Sequence, residues 1–136
     1  MLKMISIVTS LLFTASAFAA GASPSMRPDV EAFVHASYKQ PQQAAAATQL
    51  AQALQSVLNS GKDSASIETS GQNAERARRC VSAVFGAKAG KYPSKVVSEI
   101  EAKTFDTTAR QVTYIAFQQL MRDSPVRSNA ENPCAQ

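Results

Sequence analysis

The chain has 136 residues, 45% of them hydrophobic, with 14 Lys or Arg against 10 Asp or Glu (formal charge +4), one histidine, two cysteines and no tryptophan. That length suits one domain and leaves little room for two. The charge is mildly basic, which favours acidic partners without demanding them, and His35, Cys80 and Cys134 cannot supply the four ligands of a structural zinc site.

The first nineteen residues predict an export signal. Lys3 gives a short positive start, Met4 to Phe18 are mostly apolar, and Ala17-Phe18-Ala19 has the small-x-small pattern cut before Ala20. Thr9, Ser10, Thr14 and Ser16 interrupt the run, which falls short of the roughly 20 apolar residues of a membrane span. A second small-x-small site, Ala20-Gly21-Ala22, lies just beyond. No later run is apolar enough to cross a bilayer, so the mature chain, residues 20–136, is expected without a membrane span. The expected location is the periplasm of a bacterium with an outer membrane, or otherwise the secreted fraction. Nucleic acid is a poor partner in such a compartment.

Residues 20–27, AGASPSMR, read as a flexible lead, and residues 28–136 as a single α-helical domain. In its first helix Asp29 is placed as N-cap, and Val30, Phe33, Val34, Ser37 and Tyr38 recur at helical spacing up to the break at Pro41. The second, PQQAAAATQLAQALQSVLNSG, is rich in strong helix formers. Its stripe is Ala47, Leu50, Ala51, Leu54, Val57 and Leu58, its stop is Asn59-Ser60-Gly61, and its glutamines are expected on a solvated face.

Residues 61–71, GKDSASIETSG, are polar and turn-rich, and they read as a long loop available for contacts. A third helix over 72–87 then places Ala74, Ala77, Cys80, Val81, Val84 and Phe85 on one face. Ser94 is placed as cap of a shorter helix over 95–103 with Val96, Val97 and Ile100 inward, although its β-branched pair also allows a strand. Asp106-Thr107 opens a fifth helix reaching Arg122. Ala109, Val112, Ile115, Ala116 and Leu120 form its stripe, widened by Tyr114, Phe117 and Met121 to more than half the circumference. Such width predicts a helix central to the bundle, or one that buries part of its stripe in a homodimer.

The tail after Pro125 has almost nothing apolar to pack. In an oxidising compartment an even cysteine pair reads first as a disulfide, so Cys80, on the core face, is expected to fasten the tail through Cys134. The expected architecture is therefore all-α: a small irregular bundle of four to five helices with one disulfide.

Catalytic motifs are missing. There is no H-E-x-x-H, G-x-S-x-G, S-x-x-K or calcium-loop pattern, and Gly61-Lys62-Asp63 lacks the rest of a phosphate loop. His35 has no convergent partner in sequence, and Glu99 and Glu101, two apart on a helix, face different ways. No catalytic residue, metal or cofactor is assigned. The one concentrated chemical feature is the basic stretch RARRCVSAVFGAKAGKYPSK. Arg76, Arg78, Arg79, Lys88 and Lys91, with Tyr92, are the candidate residues for meeting another protein with an acidic surface. The function expected from this is protein binding, as an inhibitor or immunity protein that covers an enzyme or toxin. The alternatives are an accessory or chaperone-like subunit of an envelope or secretion assembly, and an enzyme with a non-obvious site.

Overall fold

A computed structural model describes residues 26–86, 92–123 and 131–134. The expected signal over 1–19, nearly all of the lead, Ala87, Lys88 and Lys91 lie outside the described residues. Within them are five helices and no strand: α1 (Pro28–Ser37), α2 (Pro41–Asn59), α3 (Ser64–Val84), α4 (Pro93–Thr104) and α5 (Thr108–Arg122). The Val96-Val97 segment is thus helical.

Prolines open α1, α2 and α4, where the missing N–H would have had no helical partner. This corrects two expected caps. Arg27 and Tyr92 occupy the N-cap positions of α1 and α4, and Asp29 and Ser94 fall inside the first turns. Asp29 there complements the positive end of the helix dipole.

Arg27 ends the expected lead as an anchor. Its Nη2 donates to Asp29 Oδ2 at 2.6 Å and Asp106 Oδ2 at 3.0 Å, and its Nη1 to the Thr104 carbonyl at 3.1 Å. The start of α1 is thereby tied to the turn between α4 and α5.

At the centre lies α2, which packs against each of the other four helices. Leu50, Leu54 and Val57 are buried as their spacing predicts, and so are Ala46 and Ala53 on other faces. Alanine lets neighbouring helices approach from several sides, which suits a central position. Full burial of each Leu or Val side chain contributes about 1.5–3 kcal/mol. Gln49 and Gln55 are buried as well, contrary to the solvated face expected of them. Gln49 Nε2 donates to the Pro133 carbonyl at 2.8 Å, so this amide seats the C-terminal segment.

The expected loop over 61–71 is helix from Ser64 onward, and only residues 60–63 separate α2 from α3. Asp63 Oδ1 accepts from the Ser66 amide at 2.9 Å, a side-chain N-cap. A Cβ at Gly61 would stand 3.0 Å from Asp63 Oδ2, so glycine there leaves the capping carboxylate its room. Ile67, Ser70 and Gly71 are buried along α3, and the small pair at 70 and 71 packs where a loop was expected to turn.

Farther along α3, Ala74, Ala77, Cys80, Val81 and Phe85 enter the core. Phe85 meets Tyr38 edge-on with ring centroids 5.4 Å apart, and Val96 and Ile100 of α4 are fully buried. Cys80 is bonded to Cys134, with Cα atoms 4.8 Å apart across a sequence separation of 54. Cys80 is 1% exposed, whereas Cys134 lies at the surface.

The position of α5 is the largest correction. It is peripheral, capped by the Thr107 hydroxyl, and of its residues only Phe117 is buried. Val112, Ile115 and Leu120 are 60%, 52% and 53% exposed, and Ala109 and Ala116 are exposed beside them. The helix turns its Tyr114-Phe117-Met121 side to the core and leaves the predicted stripe outside.

Candidate functional site

The described residues of the basic stretch do not all face outward. Arg78 points inward: its Nη2 donates to Glu101 Oε1 and to Tyr114 Oη, each at 2.8 Å, while Tyr114 Oη donates to Glu101 Oε1 at 3.1 Å. This closed triangle links α3, α4 and α5. Burial is the largest single influence and opposes the Arg78 charge, but Glu101, Tyr114 and Glu75 together outweigh it and hold the guanidinium above its ordinary value. Burial raises the Tyr114 phenol, against the opposing pull of Arg78. Stacking of Phe105 on Tyr114, centroids 4.1 Å apart, completes the dock for α5.

Arg76 bonds Asn73 on its own helix at 3.1 Å. Arg79 is exposed, and Tyr92, 75% exposed, precedes α4. Of the residues named for an acidic partner, Arg79 and Tyr92 present themselves outward, Arg76 is half-buried, and Arg78 is consumed in docking α5.

The titratable groups that could suggest chemistry are dispersed. Glu99 accepts from Tyr38 Oη at 3.0 Å on the α1 side, whereas Glu101 serves the triangle on the α5 side. The two carboxylates therefore diverge as their spacing predicts. The His35 imidazole is exposed, 3.9 Å from Glu31. Among the described residues no three His, Cys, Asp or Glu side chains could hold one metal ion, and no helix is long and apolar enough to cross a membrane.

Among the described residues, two of the hollows flank the core. One, of about 760 Å³, separates α5 from α3, with Val57 and Phe117 in its lining and Glu75, Arg78, Glu101 and Tyr114 around them. The other, of about 790 Å³, runs along α2 beside the disulfide. The first is lined in part by the triangle that holds α5 in place. The second borders the Gln49 and Cys134 contacts that seat the tail.

What remains outward is the exposed side of α5. At 100° per residue, Ile115, Val112, Ala116, Ala109 and Leu120 fall within one arc of about 140°, which runs from Ile115, about 160° from Phe117, to Leu120, about 60° from it. Of the charged residues of this helix, Arg110 lies off that arc and is paired with Asp106, whereas Arg122, exposed, lies about 20° from Ile115 two turns farther on. The sequence signal was present in the stripe's width, since a helix apolar over more than half its surface cannot bury everything from the edge of a bundle. No protein-family model, curated protein or solved structure compared with the chain matches it.

Proposed function

We propose that the protein works by covering another protein, as an inhibitor or immunity-type protein acting on an enzyme or toxin, and that the outer side of α5 is its contact face. The observation that carries this reading is the exposure of Val112, Ile115 and Leu120 on the outer side of one helix. Together they present on the order of 300 Å² of apolar surface, at the lower end of the largest patch on a typical monomer, which is often functional. Gln119 lies between Ile115 and Val112 around the helix, and Gln111 and Gln118 border the Ile115 edge, so the exposed side mixes aliphatic and amide groups. The triangle of Arg78, Glu101 and Tyr114 supports the same reading, because it holds the helix in place from behind.

An accessory or chaperone-like role had its expected surfaces in the glutamines of α2 and in a long loop after it. Gln49 and Gln55 are buried and the loop is helix from Ser64 onward, which leaves Gln42, Gln43 and Gln52 of those glutamines at the surface.

The reading is tested by presenting the mature chain, residues 20–136 with its disulfide formed, to the exported proteins of its own cell and identifying what it retains. One protein held at one-to-one stoichiometry, and lost with Ile115→Asp, is the expected result. Retention of no protein, or retention unaffected by Ile115→Asp, contradicts it.

A further inference from the structure

The hollow between α3 and α5 carries charges that the fold leaves unused. Its lining runs along α3 from Arg78 back to Gly71, and along α5 from Tyr114 on to Arg122. Eight steps of helix separate Tyr114 from Arg122, so at 1.5 Å per residue the hollow is about 12 Å long. Val57, Ala74 and Phe117 are buried beneath it, and half-buried Met121 extends this apolar floor. At about 760 Å³ it lies within the range of small-molecule sites, which combine an apolar lining with a few placed polar groups.

The charged groups sort by what they already bond. Arg78 and Glu101 are spent on each other and on Tyr114, and together add no net charge. Glu75, one turn before Arg78, and Arg122, at the mouth of the far end, line the hollow without a hydrogen bond or ion pair to another described residue. The hollow therefore presents an uncompensated carboxylate toward the triangle and an uncompensated guanidinium away from it. A ligand with a single charge would gain one of these contacts and face a like charge at the other. A ligand with an ammonium at one end and a carboxylate at the other satisfies both.

Length selects among such ligands. An extended peptide spans at most about 3.3–3.6 Å per residue, so three residues cover about 10 Å, and their side chains can reach the apolar floor. We propose that the hollow between α3 and α5 binds a short apolar peptide of about three residues with both ends free, its ammonium at Glu75 and its carboxylate at Arg122. This site is separate from the contact face assigned to the outer side of α5 and does not rest on that assignment.

Isothermal titration calorimetry of the mature, oxidised chain with tri-leucine tests the assignment, at low ionic strength where exposed charges are least screened. Circular dichroism confirms that each variant stays helical. Expected is saturable one-to-one binding, weakened about 10-fold or more when the peptide is acetylated at its N-terminus or amidated at its C-terminus, as for loss of a hydrogen bond between charged groups. Arg122→Gln should bind the amidated peptide as well as the free acid, and Glu75→Gln should bind the acetylated peptide as well as the free amine. A general loss of folding would weaken every peptide alike and leave those two preferences in place. Neither residue has a bonded partner to lose, so both variants should keep the thermal midpoint of the wild type. Absence of tri-leucine binding at millimolar concentration overturns the proposal, and so does binding by the wild type that is indifferent to either cap. Persistence of the preference for a free acid in Arg122→Gln, or for a free amine in Glu75→Gln, overturns it as well.

Discussion

Removing the disulfide should take away a large part of the stability of this small domain. The bond spans a sequence separation of 54, and the chain-entropy cost of leaving so long a loop open in the unfolded state is about 4 kcal/mol. A domain of this size is stable by about 5–15 kcal/mol in all. Cys134→Ser is the clean perturbation, because Cys134 is at the surface while Cys80 is 1% exposed and can keep its thiol in the core. Cys80→Ser would add a buried hydroxyl and confuse the measurement. Urea unfolding followed by far-ultraviolet circular dichroism reads the effect directly. With a slope of about 1–2 kcal/mol per molar, typical of small domains, the midpoint should fall by about 2–4 M. The Gln49–Pro133 hydrogen bond alone is worth about 1 kcal/mol and cannot hold the tail in its place. A loss below about 1 kcal/mol would refute the loop-closure reasoning and mean that the unfolded chain is already restricted by other contacts.

Three further outcomes separate the core from the surface. Leu54→Ala, at a fully buried site on α2, should cost about 2–5 kcal/mol in urea unfolding, whereas Leu120→Ala on α5 should stay within about 0.5 kcal/mol for the monomer. A cost at Leu120 equal to that at Leu54 would place α5 back in the core. Glu101→Gln leaves Arg78 without its carboxylate inside the triangle and should destabilise by about 1–3 kcal/mol, lowering the thermal midpoint by several degrees. Acid should also destabilise the fold. Hydrogen bonds from Arg27 hold Asp29 well below the ordinary carboxylate range, and those from Arg27 and then Arg110 lower Asp106. Carboxyls depressed in the native state contribute stability that is fully present above their unfolded value, about 3.9 for aspartate, and that is lost as pH falls through the native value. Thermal midpoints should therefore drop below about pH 4. The drop should shrink in Asp29→Asn, and an undiminished drop in that variant would remove Asp29 from the explanation.

Periodicity carried the helices wherever large aliphatic residues marked a face. Leu50, Leu54 and Val57 on α2, Val96 and Ile100 on α4, and Cys80 with Phe85 on α3 are all buried as their spacing predicts. The Cys80–Cys134 pairing was legible too, because only two cysteines exist. The first turns of α3 were not. Serines, threonine and glycine read as a loop, yet Ser70 and Gly71 are small enough to pack on the core side of a helix, and Asp63 starts that helix with its side chain. Gln49 escaped for a related reason, since its burial depends on a carbonyl 84 residues away.

The face of α5 shows where pattern alone runs out. Two apolar sides were visible, one through Ile115 and one through Phe117, but choosing between them depends on tertiary partners. Arg78 and Glu101 reach Tyr114 from other helices, and Phe105 stacks on its ring, so that side turns inward. Arg78 was hidden by the same route, because it pairs with a carboxylate 23 residues away.

The most direct test titrates the protein retained by the mature chain against wild type, Ile115→Asp and Arg79→Glu, each confirmed helical and oxidised. Expected is a loss of about 2 kcal/mol or more of binding free energy, roughly 30-fold or more in Kd, for Ile115→Asp and little change for Arg79→Glu. The opposite ranking, with Arg79→Glu abolishing binding and Ile115→Asp leaving it intact, would contradict the assignment of α5 as the contact face and return it to the basic stretch of α3.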